Sequence, residues 1–169
     1  MGERLTPRGR RLLQEEMADL DRRLRDATLD YGKTAGFRDG DGYHDETANL
    51  LEGEVRKISG FWGALKFLLY SSKELKPPEQ FDKVDLGHRV EVELPEDEDV
   101  SGLAHVTVLS SGDVRVLSGE FDQKSEILVS DKSPLGIALL GKKVGDKAKY
   151  GENRAFIKSI GKANVFEDE

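Results

Sequence analysis

The sequence predicts an α+β protein, an N-terminal antiparallel α-helical coiled-coil hairpin followed by a small sheet domain with a short helix. Three observations predict it. Apolar residues recur at alternating steps of four and three through the first part of the chain, Lys76-Pro77-Pro78 interrupts that pattern, and beyond it the apolar period shortens to two. The 169 residues thereby divide into a hairpin over 1–76, a linker over 77–81 and a second domain over 82–169.

Leu13, Met17, Leu20, Leu24 and Ala27 form the first seam, with charged residues between them. Leu51, Val55, Ile58, Trp62, Leu65 and Leu69 form the second. Both are narrow a/d stripes, the pattern of helices that pair with each other rather than lie flat on a broad core. Thr6-Pro7 supplies an N-cap followed by proline at the first helical position, and Pro77-Pro78 ends the helical region. Gly60 and Gly63 oppose the second helix, since a glycine costs up to about 1 kcal/mol relative to alanine. A glycine-rich segment, residues 30–46, joins the seams as the tip of the hairpin.

In the second half, Arg89–Leu94 and His105–Val108 alternate as strands. Val114–Leu117 and Glu126–Val129 read as further short strands between Ser-Gly and Gly-Asp turns. Ser133-Pro134 opens a short helix that Gly141 closes, and Lys147–Tyr150 and Arg154–Ile160 complete a sheet of antiparallel strands. His88 and His105 read as surface or edge residues, and the last three residues as a frayed tail.

Composition narrows the function. No segment has the uncharged apolar length of a membrane span, and MGERLTPRGR lacks the apolar core of a signal peptide, so the expected location is cytoplasmic. The absence of cysteine excludes disulfides, thiol catalysis and cysteine zinc sites. With 33 acids against 26 bases the net charge is −7, wrong for a general nucleic-acid coat. The charge is unevenly spread: +1 over residues 1–29, −3 over 30–46, +2 over 47–78 and −7 over 79–169.

The tip concentrates the chemistry. Asp39, Asp41, Asp45 and Glu46 fall within eight positions, and carboxylates this dense repel unless a cation or solvent relieves them. One reading is a metal-directed tip, with Asp39, Asp41 and Asp45 offering hard oxygens to Mg²⁺. The other is a solvated turn whose acids favour the positive end of the second helix. Asp39-Gly40-Asp41-Gly42 begins like a calcium loop, but His44 replaces its glycine and Leu50 its final glutamate. There is no Walker sequence, no G-x-G-x-x-G after a strand and no nucleophile–base pair.

Leu5-Thr6-Pro7-Arg8-Gly9 with Leu12, Leu13, Glu16 and Leu20 resembles the opening helix of the bacterial Gre transcript-cleavage factors. Gly40-Asp41 falls where that family has Gly-Asp at its tip, and Ser133-Pro134-Leu135 through Gly141-Lys142 is similar to its Ser-Pro-x-x-x-x-Leu-x-Gly-Lys signature. The resemblance implies a C-terminal domain of FKBP-like fold that docks, through residues including Ser133 and Pro134, on bacterial RNA polymerase at the rim of its secondary channel. It further implies a monomer, not itself an enzyme. Its tip acids Asp41, Asp45 and Glu46 would assist the polymerase's own Mg²⁺ in cutting backtracked RNA, touching the nascent RNA 3′ end only within the complex.

The family's tip runs Gly-Asp-x-x-Glu-Asn-Ala-Glu-Tyr, whereas Gly40-Asp41 continues Gly42-Tyr43-His44-Asp45-Glu46-Thr47. A gapless match puts His44 at the second acid; a register aligning Asp45 and Asn49 puts Ala48 at an acid position. The same resemblance therefore also admits a secondary-channel inhibitor without cleavage activity. Two other readings are a peptidyl-prolyl isomerase, for which Phe81, Phe121, Tyr150, Phe156 and Phe166 are the available aromatics, and a coiled-coil adaptor.

Overall fold

The computed structural model describes residues 3–36, 43–94, 102–120 and 126–167, with the backbone alone at 34–36 and 43–45. The chain forms two compact units, Leu13–Ser71 and Met1–Leu12 with Ser72–Glu169.

The first of these is helical. Helix α1 spans Pro7–Gly36 and α2 spans Tyr43–Ser71. Every residue of both predicted seams is buried or half-buried, down to full burial at Leu13 and Leu65. Between the seams lie ion pairs such as Arg25–Asp21 and Arg56–Glu52, each at helical i,i+4 spacing, although α2 also exposes Leu50, Phe61, Phe67 and Tyr70. Apolar seams and solvated flanks are what two paired amphipathic helices produce.

The other unit is built on a five-stranded sheet. Its strands are β3 (His88–Leu94), β4 (Gly102–Leu109), β5 (Ile127–Ser130), β6 (Lys147–Tyr150) and β7 (Asn153–Lys162), in the order β5-β4-β3-β7-β6. Two-residue strands β1 (Arg4–Leu5) and β2 (Lys73–Glu74) pair separately and in parallel. α2 stops at Ser71, before the two prolines, and the chain extends into β2. Alternate residues of β3, β4, β6 and β7 enter one core of Val90, Val92, Val106, Val108, Ala148, Ala155 and Ile157, closed by Val84 and Leu139. In β7 the register shifts opposite Glu91 and Val92, so Lys158 is an extra residue in a β-bulge.

Three expectations are corrected. Val114–Leu117 is not a strand: α3 spans Ser111–Leu117, where Ser110 Oγ accepts the Asp113 amide at 3.3 Å and caps it. A cap satisfying an orphan N–H outweighs the weak strand preference of two valines. The sheet is not wholly antiparallel either. β4 and β5 run parallel, because α3 intervenes between them and carries the chain back to the sheet. His88 is not at the surface but 1% exposed, its Nδ1 accepting the Asp85 amide at 2.8 Å. Helix α4 (Pro134–Leu139) follows the expected Ser-Pro start, and Gly141 takes the left-handed φ of +76° just after it.

Candidate functional site

Sequence singles out two regions, the hairpin tip and the Ser133-Pro134 segment, together with the Leu5–Gly9 motif. Helix α1 ends at Gly36 and α2 begins at Tyr43. Asp39 and Asp41 lie outside the described residues. Asp45 and Glu46 both fall in the first turn of α2, and Glu46 is exposed. The unpaired amides of a helix start favour negative charge there, so these two positions suit carboxylates on the dipole alone. Among the described residues no three acidic or histidine side chains converge to hold an ion.

Ser133 and Pro134 are the N-cap and first residue of α4. Ser133 Oγ accepts the Gly136 amide at 3.1 Å and donates to the Ser130 carbonyl at 2.7 Å, so one hydroxyl fixes both the helix start and the end of β5. A Cβ on Gly136 would stand 2.0 Å from that same carbonyl oxygen, which only glycine permits. One turn into α4, Ile137 is 62% exposed, and Val144 in the following loop is 54% exposed. The Ser-Pro-Leu-Gly signature therefore does local work, and the short helix it holds presents an apolar side chain to solvent.

The Leu5–Gly9 motif has an equally local cause. Asp113 of α3 is fully buried and accepts the Thr6 amide at 2.8 Å and the Thr6 hydroxyl at 3.0 Å. Thr6 Oγ1 in turn accepts the Gly9 amide at 3.0 Å, capping α1. Burial pushes the Asp113 carboxyl up to about 6, against the two Thr6 hydrogen bonds that favour its charged form. A Cβ at Gly9 would lie 1.9 Å from Asp113 Oδ1. Around this centre Arg8 pairs with Glu120 at 2.8 Å, Arg10 reaches Ser72 at 3.2 Å, and Lys132 pairs with Glu3. Sequence reading found the motif but not Asp113, because a lone aspartate in a Ser-Gly-Asp run looks like turn chemistry.

The described aromatics of this unit do not gather into one pocket. Tyr150 packs on the sheet core and Phe166 on the cluster of Leu109, Leu117 and Val165. Phe156 lies under the Lys147 ammonium, and Phe81 stacks at a tilt on His88. Phe121 lies outside the described residues.

Residues 78–158 match the family model of the GreA/GreB transcription elongation factor C-terminal domain. No curated protein matches the chain. Solved structures similar to the chain include three of Gfh1. GreA factor homolog 1 (Gfh1) of Thermus thermophilus is 23% identical at a TM-score of 0.42, with 95% of this chain and 99% of that one covered. A second Gfh1 structure is 26% identical at 0.42, covering 95% and 97%. Thermus aquaticus Gfh1 is 24% identical at 0.40, covering 94% and 97%.

Proposed function

We propose that this chain, whose residues 78–158 match the GreA/GreB transcription elongation factor C-terminal domain, is a factor that binds bacterial RNA polymerase at its secondary channel and brings its acidic tip to the active-site Mg²⁺. The family match over residues 78–158 carries this reading. Support for the tip comes from the net charge of −3 over residues 30–46, in a segment that joins the ends of two long helices.

In this reading Ser133 and Pro134, with Ile137 beside them, form part of the polymerase contact. The ion is the polymerase's own; Asp39, Asp41 and Asp45 are of the hard-oxygen type it takes, and Asp41 with Asp45 and Glu46 assists it. The metal supplies charge stabilisation for the attacking and leaving oxygens of a phosphodiester hydrolysis. The chain is then not an enzyme but an accessory to the polymerase's catalytic site, meeting the RNA 3′ end only within the complex.

One observation favours a second version. His44 stands where a gapless match expects the second tip acid, so the tip also suits an inhibitor that occupies the metal without promoting cleavage. Incubation with a backtracked elongation complex carrying labelled RNA separates the two. RNA shortening that is lost on Asp41→Asn supports the cleavage factor; slowed synthesis without shortening supports the inhibitor. No effect on RNA, and no polymerase retained on the immobilised protein, refutes both.

A further inference from the structure

The sheet unit is acidic as a whole, yet residues 142–162 contain seven lysines and arginines against two acids, a local net charge of +5. The topology sorts three of these cations onto one face, whose acids, Glu91 and Glu93, lie on the next strand, β3. Ala148, Ala155 and Ile157 of β6 and β7 point into the core, so by alternation Lys147, Lys149, Arg154 and Phe156 share the outer face. Lys149 and Arg154 are direct cross-strand partners, and so are Lys147 and Phe156. Like charges placed directly opposite each other destabilise a sheet. Among the described residues no carboxylate forms an ion pair with Lys147, Lys149 or Arg154, while Lys158 on the bulge pairs with Glu93. β6 is also the edge of the sheet.

Lysines protect edge strands from aggregation, but that purpose does not call for an arginine on the inner neighbour β7 facing a lysine. We propose that the outer face of the β6–β7 ribbon is a contact surface for the phosphate backbone of duplex DNA. Cations at neighbouring outer positions of two adjacent strands make a cluster of positive charge, and neutralisation of phosphates by Lys and Arg is what drives sequence-independent binding. Single-stranded nucleic acid is favoured by exposed rings on which bases stack. Here the one aromatic of the face, Phe156, is half-buried and capped by Lys147 Nζ 5.1 Å from its ring centroid, so the face offers charge and not stacking. This surface is independent of the tip and of the polymerase reading.

The test is fluorescence anisotropy of a labelled duplex of about 20 base pairs, titrated with the full chain to about 200 µM across a salt series, since non-specific dissociation constants run from about 10⁻⁶ M to as weak as about 10⁻⁴ M at physiological salt. Three contacts predict a slope of log K against log salt near −2.7, and Lys149→Gln or Arg154→Gln lowers its magnitude by about 0.9 each. Lys83→Gln, an exposed lysine outside the ribbon, leaves it unchanged. Circular dichroism confirms that the variants are folded, as expected for exposed substitutions. No duplex binding, equal losses from Lys83→Gln, tighter binding to a single strand of equal charge, or equal competition by polyglutamate would each overturn the proposal.

Discussion

Gly9→Ala replaces a poor helix former with the best in the first turn of α1, and propensity alone predicts a gain of up to about 1 kcal/mol. The structure predicts a loss. The added Cβ would stand 1.9 Å from Asp113 Oδ1, so the carboxylate must leave its position. Leaving it costs the two hydrogen bonds from Thr6, at 2.8 and 3.0 Å. Hydrogen bonds to charged groups contribute about 1.5–3 kcal/mol each, so losing both and regaining about 1 kcal/mol of propensity leaves a net destabilisation of about 2–5 kcal/mol. Urea unfolding followed by circular dichroism measures it as a lower midpoint at unchanged slope. A second measurement isolates the cause: in an Asp113→Ala background the clash is absent, and Gly9→Ala should become nearly neutral. A Gly9→Ala protein as stable as the parent, or an equal loss in both backgrounds, would refute the reasoning.

Gly60→Ala and Gly63→Ala are the counterparts, since a Cβ at either meets nothing within 4 Å; each should stabilise by up to about 1 kcal/mol in the same assay. Gly136→Ala forces a Cβ to 2.0 Å from the Ser130 carbonyl oxygen and should cost about 3 kcal/mol or more, read by thermal unfolding. Asp113 gives a pH signature. Its folded carboxyl titrates at about 6 against an unfolded 3.8, so between those values the native state holds the proton more tightly. Stability from this group is therefore greatest below about pH 4, falls as pH rises toward 6 and is level above it. The parent should lose about 2–3 kcal/mol across that window relative to Asp113→Asn, and a flat difference would contradict the assignment.

The helical hairpin was legible because seams such as Leu13–Ala27 and Leu51–Leu69 repeat long enough for the period to be unambiguous. Strands β3, β4, β6 and β7 were legible by alternation, and α4 by its Ser-Pro start. Val114–Leu117 was misread because four apolar-rich residues fit either period, and the deciding contact was a single hydroxyl at Ser110. The parallel run of β5 followed from that error, since a helix between β4 and β5 is what permits it. The pairing of β1 with β2 has no signal in two-residue segments 69 positions apart, as Arg4 and Lys73 are. Of the candidate sites, the acid density at the tip and the Ser-Pro motif could be read directly. Asp113 could not, because burial is a property of the packed fold. The cation face of β6–β7 was hidden in a net charge of the opposite sign.

The short ladder between Arg4–Leu5 and Lys73–Glu74 has a consequence for the whole chain. Residues 7–71 leave and return beside one two-residue parallel pair, with Arg10 bonded to Ser72 as a further clasp. In polymer terms the helical hairpin is an excursion whose ends are already closed. A flexible loop of about 60 residues would cost roughly 3–4 kcal/mol in closure entropy. Here the two helices bring their own ends together, so the sheet unit bears little of that cost. It follows that the hairpin behaves as a cassette: one of different length or tip chemistry can replace it while the sheet unit retains its own stability.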